Sequence, residues 1–110
     1  LGALDLRDIG FHFPDTDPAF KGVDSKFLLA EVMKLVRAEG YELGNIDSTI
    51  VLEKPKVNPH IQKMKSTLAK VMAVEENQIS IKATTSEKMS FVGRGEGVKA
   101  YAVVLVQKAS

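Results

Sequence analysis

Thr84, Thr85, Ser86 and Glu87 stand in a row at the end of a β-branched run, offering three hydroxyls and one carboxylate. Hard divalent cations prefer carboxylate oxygen and commonly share it with substrate phosphates, while hydroxyls donate to phosphate oxygen. The set is equipment for phosphate and a Mg²⁺-type ion. The stretch continues through Lys88, Phe91 and Gly93-Arg94-Gly95-Glu96-Gly97 before an apolar run opens at Val98, so residues 82–97 read as a functional loop between two strands. A polar hairpin turn is the plainer reading of Thr-Thr-Ser-Glu alone, because Ser and Thr are frequent where strands end. Upstream, Asp15 and Asp17 can both turn toward a cation or a sugar hydroxyl. Consecutive turns in Pro14-Asp15-Thr16-Asp17-Pro18 account for them equally well.

A small domain must position these groups. The chain has 110 residues, 45% hydrophobic and 26% charged, which fits one globular domain over residues 1–110 and excludes disordered and fibrous classes. Fifteen Lys and Arg oppose fourteen Asp and Glu, so the basic excess of counterion-driven nucleic-acid binding is missing. Without cysteine there is no disulfide and no thiolate metal site. No apolar run is long enough to span a membrane. A chain this short buries only about two-thirds of its unfolded surface, so association between subunits would add appreciably to its stability.

Leu1-Gly2-Ala3-Leu4-Asp5-Leu6 resembles the end of an amphipathic helix already under way, and the chain is expected to be part of a longer product. Gly10, Pro14 and Pro18 should break any helix between Asp8 and Lys21 and leave a long loop. Asp24 is a good N-cap and Gly40 a good stop, with Leu28, Val32, Leu35 and Val36 at helical spacing between them. Tyr41 to Leu52 contains the β-branched run Ile46 to Leu52 and reads as a strand ending near Glu53. After two prolines a second helix starts near Pro59, with Ile61, Met64, Leu68, Val71 and Met72 as its apolar face. Ile79 to Thr85 is a strand with Ile79, Ile81 and Ala83 on one face. Val98 to Gln107, apolar on both faces, should be central or buried at a subunit contact. The order predicts an α+β, ferredoxin-like layered domain with helices on one face of a sheet. Three strands are few for such a sheet, and a fourth is expected upstream of Leu1.

Several motifs occur together: Asp8-Ile9-Gly10, Phe13-Pro14-Asp15-Thr16-Asp17-Pro18, Gly44-Asn45, Pro55-Lys56, Pro59-His60, Lys82-Ala83-Thr84-Thr85 with Glu87-Lys88, and Phe91 with Gly93 to Gly97. In combination the chain resembles the 2-C-methyl-D-erythritol 2,4-cyclodiphosphate synthase family over its whole length. The resemblance implies a phosphorus-oxygen lyase of non-mevalonate isoprenoid biosynthesis. Its substrate is 4-diphosphocytidyl-2-C-methyl-D-erythritol 2-phosphate, whose 2-phosphate attacks the β-phosphorus and expels CMP. It also implies a homotrimer with active sites between neighbouring subunits. A phosphate nucleophile is already ionised at neutral pH, so such chemistry needs cations, donors and positioning rather than a general base.

By the same resemblance Glu87 holds a Mg²⁺ or Mn²⁺ ion, and Thr85 donates to phosphate and stabilises the transition state, with Thr84 and Ser86 beside it. Asp8 accepts from a substrate hydroxyl at the methylerythritol end, where Ile9 and Gly10 also lie. Phe13, Pro14, Asp15, Thr16 and Asp17 fold over that end as a lid. The cytidine pocket is Leu52, Glu53, Lys54, Pro55, Lys56, Val57 and Asn58, acting largely through the backbone, with Lys56 supplying charge near a phosphate. Phe91 and Arg94 match a cluster near the trimer axis that can take an isoprenoid diphosphate, and Arg94 can pair with Glu96 when the site is empty. A loop salt bridge is the plainer reading of Glu96. The family's catalytic zinc is held by an Asp-x-His motif and a further His that precede this segment. His12 and His60 do not match those ligands, so no zinc site is expected on this chain. The resemblance places the protein in the cytoplasm of a bacterium or the stroma of a plastid. Two other readings stay open: a non-catalytic cytidine-nucleotide-binding or assembly domain, and a generic ferredoxin-like ligand-binding domain.

Overall fold

The computed structural model describes residues 1–14, 24–52, 58–84 and 98–109, with the side chain of Asn58 left out. Its sheet is built around one long strand, β1 (Tyr41–Val51). β2 (Ile79–Thr84) runs parallel along one side of it and β3 (Lys99–Lys108) antiparallel along the other, giving the order β2-β1-β3. Parallel neighbours cannot be joined by a tight turn, and here the crossover is α3 (Ile61–Met72). Because β1 lies between β2 and β3, the connection from Thr84 to Lys99 is not a hairpin between adjacent strands.

α2 (Ser25–Ala38) and α3 pack on the sheet face that carries Leu43, Ile46, Ile50, Ile79 and Ile81. Met33, Leu43 and Met72 form one buried cluster, and Ala69, Ile79 and Ile81 another. This is the α+β arrangement with helices on one face. The Asp24 carboxylate accepts from the Lys26 N–H at 2.7 Å and starts α2, and Gly40, with φ of 84°, follows its end. Within α2 the deepest positions are Met33 and Val36, with Leu29 packed against the same cluster, so the inward stripe is rotated from the expected Leu28, Val32, Leu35 and Val36. Ala69 joins Met72 as the buried pair of α3, a small residue admitting close approach to β2.

Arg37 ties three elements at one point. Its Nη2 donates to the Met72 carbonyl at 2.6 Å and the Ala73 carbonyl at 3.3 Å, and its Nε donates to Glu42 at 2.9 Å. Carbonyls at the end of a helix lack intrahelical partners, so a guanidinium there satisfies acceptors and meets the negative pole of α3.

β1 contains a bulge at Gly44: Leu43 faces Val106 and Asn45 faces Leu105, leaving Gly44 as the extra residue. A Cβ at Gly44 would lie 3.1 Å from the Leu105 carbonyl oxygen, which explains glycine there. Side chains alternate along a strand, so the added residue shifts the helix-facing set from Leu43 to Ile46 and Ile50. The Gln78 amide donates to the Leu43 and Gly44 carbonyls at 3.0 and 3.2 Å, and its oxygen accepts from the Glu75 N–H at 2.8 Å.

Two expectations are corrected. Residues Leu1 to Leu6 are not α-helical: Gly2–Leu4 is a single 3-10 turn ended by Asp5 in the left-handed region, φ 56°. The Asp8 to Lys21 stretch does contain a helix, the one-turn α1 (Ile9–His12), because Asp8 supplies a cap. The first strand, Tyr41–Val51, falls within the stretch where it is expected. Of the two places expected for the strand apolar on both sides, the central one is not met among the described residues, where β3 is paired with β1 alone. The helix-side row of β3, Ala102, Val104 and Val106, borders a groove of about 470 Å³ walled also by Leu29, Val32 and Val36 of α2.

Replacing Gln78 with Leu removes both donors to the bulge carbonyls and the acceptor for Glu75. We expect a loss of about 1–3 kcal/mol in urea unfolding with an unchanged slope. A change below about 0.5 kcal/mol would mean that the bulge does not depend on this side chain.

Candidate functional site

The ends of β1 and β2 meet. Their parallel register runs from Ile46 opposite Ile79 to Val51 opposite Thr84, and one step later the Leu52 N–H donates to the Thr84 carbonyl at 3.0 Å. The start of the 52–58 segment and the start of the Thr-Thr-Ser-Glu run are thereby held side by side. Both lie at the carboxyl ends of parallel strands, the edge at which open α/β sheets generally take ligands.

Strand alternation then sorts the side chains. Ile79, Ile81 and Ala83 share one face as expected, the one toward the helices, so Ser80, Lys82 and Thr84 stand on the opposite face, which no helix among the described residues covers, and Lys82 and Thr84 are exposed there. Lys82 Nζ forms an ion pair with Asp47 Oδ1 at 2.8 Å across the β1–β2 pair. Both are half exposed, so the pair adds little to stability, but it places a cation two residues from Thr84 on the same face. Leu52 has its side chain in the core, 8% exposed, so only its main chain can face a ligand.

Farther along the second segment, Asn58–His60 forms a 3-10 turn leading into α3. Beside it is a mainly apolar pocket of about 300 Å³ lined by His60, Lys63, Met64, Thr67 and Leu68. Met64 and Leu68 also pack against the core, as their place on the apolar face of the helix predicts. Lys63, Met64, Thr67 and Leu68 stand three, four, seven and eight positions along from His60, which puts all five on one stripe of the helix.

Asp8 is placed separately. Its carboxylate Oδ1 accepts from the Phe11 N–H at 2.9 Å and caps α1, and no hydrogen bond or ion pair among the described residues links it to Leu52 or Thr84. Ile9 and Gly10 form the exposed first turn of α1, and the Phe13 N–H donates to the Ile9 carbonyl at 2.9 Å before the chain reaches Pro14. A Cβ at Gly10 would make only an ordinary 3.7 Å contact with Asp8, so space does not demand glycine.

Of the remaining expected site residues, Asp15, Thr16, Asp17, Glu53, Lys54, Pro55, Lys56, Val57, Thr85, Ser86, Glu87, Phe91, Arg94 and Glu96 lie outside the described residues. Among the described residues no three His, Cys, Asp or Glu side chains gather into a metal-holding group. The Nε2 of His12 is spent on the Leu6 carbonyl, and His60 lines the α3 pocket. These positions do not fit an open tetrahedral zinc site. No helix among the described residues is long and apolar enough to cross a membrane.

Comparison with known proteins fits this geometry. Residues 1–107 match the YgbB family. The chain is 61% identical over 108 residues to the 2-C-methyl-D-erythritol 2,4-cyclodiphosphate synthase of Parabacteroides distasonis, covering 98% of this chain and 67% of that one. The solved bifunctional IspDF from Campylobacter jejuni superposes with a TM-score of 0.92 at 41% identity, over 98% of this chain and 29% of that one. A CDP-bound form of a 2C-methyl-D-erythritol-2,4-cyclodiphosphate synthase gives a TM-score of 0.86 at 36% identity, over 96% of this chain and 67% of that one. The chain spans about two-thirds of the length of the curated relatives it matches.

Proposed function

Because the chain belongs to the YgbB family, we propose that it acts as a phosphorus-oxygen lyase. It would convert 4-diphosphocytidyl-2-C-methyl-D-erythritol 2-phosphate to 2-C-methyl-D-erythritol 2,4-cyclodiphosphate and CMP. The observation that carries this reading is the hydrogen bond from Leu52 to the Thr84 carbonyl, which sets a candidate nucleotide segment next to a candidate phosphate segment. A solved relative with CDP bound supports the nucleotide half.

In this reading residues 52–58 hold the cytidine through their main chain, with Lys56 near a phosphate. Thr84, Thr85 and Ser86 donate to phosphate oxygens. An oxygen of the 2-phosphate forms a bond to the β-phosphorus, the bond from that phosphorus to the bridging oxygen breaks, and the electron pair leaves on CMP. No side chain has to remove a proton, so the protein's contribution is alignment and charge stabilisation. Glu87 would hold the Mg²⁺ or Mn²⁺ ion, which neutralises phosphate charge as CMP departs. Asp8 would accept from a hydroxyl of the methylerythritol end, with Ile9 and Gly10 beside it and residues 13–17 folding over it.

A homotrimer completes the proposal. The helix-free sheet face carries Tyr101, Val103 and Leu105 of the edge strand, and Val103 is 74% exposed. A long apolar edge left open is an aggregation hazard that proteins ordinarily cover. Among the described residues the Asp8 carboxylate bonds only within its own turn and not to the strand ends, which agrees with a site completed between subunits. Phe91 and Arg94, with Glu96 nearby, would then serve a central cavity able to take an isoprenoid diphosphate. In a bacterium the protein would work in the cytoplasm.

Incubation with the substrate at saturating Zn²⁺ and Mg²⁺ should release CMP, and Glu87→Ala should lower that release by at least about 100-fold. CDP binding without any turnover would instead indicate a nucleotide-binding module. Sedimentation velocity at micromolar protein should give a trimer; a stable monomer contradicts the inter-subunit site.

A further inference from the structure

Asp8 is carried by a turn too short to be stable alone: α1 has four residues, and helices of that length do not persist in water. Two residues just before it, Asp5 and Arg7, take left-handed backbone conformations with φ of 56° and 67°. Non-glycine residues hold such conformations only where the surroundings over-determine them. Asp5 ends the Gly2–Leu4 turn, its N–H donating to the Gly2 carbonyl at 3.1 Å, whereas the contacts around Arg7 converge on His12. Its Nε2 donates to the Leu6 carbonyl, closing the chain around Arg7 and Asp8. Its ring meets the Phe11 ring edge to face, with centroids 5.0 Å apart, and Phe11 in turn carries the Arg7 guanidinium 3.9 Å above its own centroid. The Phe13 ring is also near, 6.3 Å between centroids. His12 thus touches both the backbone entering the Asp8 turn and the aromatic rings that follow it.

We propose that His12 is the positioning residue of Asp8, fixing the turn so that the carboxylate is aimed at a polyol hydroxyl of the ligand. Asp8 Oδ1 is committed to the Phe11 N–H, and the second carboxylate oxygen has no partner among the described residues, which leaves an acceptor for such a hydroxyl. The inference rests on the reading of Asp8 as a substrate residue. A carbonyl oxygen can only accept, so the His12 ring carries its proton on Nε2. Glutamine can supply a comparable donor at that place, whereas phenylalanine keeps a ring and supplies none.

The test is calorimetric titration of the 110-residue chain with two probes, the full substrate and CDP, in metal-free buffer so that nothing turns over. His12→Phe should raise the substrate Kd about tenfold and leave the CDP Kd within about twofold, and His12→Gln should restore substrate binding. A general folding role would raise both constants together, and that result overturns the proposal, as does an unchanged substrate Kd or failure of the Gln variant to rescue. Asp8→Asn separates the two levels. If it does not weaken the substrate relative to CDP, the substrate reading of Asp8 falls and the inference with it. If it does and His12→Phe does not, only the inference falls. Nitrogen-15 spectra of the unsubstituted protein give a readout independent of any variant's folding: His12 should show the Nε2–H tautomer with a slowly exchanging imidazole proton. The opposite tautomer overturns the proposal.

Discussion

The structure depends on β1 pairing in opposite senses with its two neighbours. A parallel pair on one side requires a crossover, and α3 provides it, so the second helix lies where it must to cover Ile79 and Ile81. An antiparallel pair on the other side lets β3 extend along β1 from Val51 to Tyr41. The Gly44 bulge keeps this arrangement in phase with the core, since one residue more or fewer would turn Ile46 and Ile50 away from the helices. Arg37 and Gln78, neither of them buried, fasten the helix ends and the bulge to this strand.

The same pairing decides where chemistry can be done. Parallel strands end on the same side, so the segments that follow Val51 and Thr84 emerge together. A site for a nucleoside diphosphate needs a groove of main-chain groups beside a cluster of hydroxyls and charge, and sequence segments separated by a whole helix are joined there by a single ladder step. The helix-free face divides across its width, with Asp47, Lys82 and Thr84 toward one edge and Tyr101, Val103 and Leu105 on the other. Polar and large apolar side chains are thereby kept toward different strands of one surface.

Much of this was legible in the residues. Asp24 and Gly40 marked α2 because capping and left-handed stops are local effects, and the alternation of Ile79, Ile81 and Ala83 marked β2 for the same reason. The motif combination carried the family. What escaped was whatever depends on partners distant in sequence. The edge position of β3 follows from what β1 pairs with, not from β3's own apolar pattern. The rotation of α2 toward Leu29 and Met33 follows from packing against Leu43 and Met72. The role of Arg37 has no local signal, because its acceptors, the Met72 and Ala73 carbonyls, are distant in sequence. The α1 turn was missed because Gly10 and Pro14 signal breakage more strongly than a lone Asp8 signals a cap.

The most direct measurement is amide chemical-shift mapping of the isotope-labelled chain during titration with CDP. The account requires the largest changes at Leu52, at the Asn58–His60 turn and at Thr84, with α2 and the Asp8 turn nearly silent. Changes confined to other surfaces, or none at saturating CDP, would contradict the claim that the joined ends of β1 and β2 form the nucleotide site.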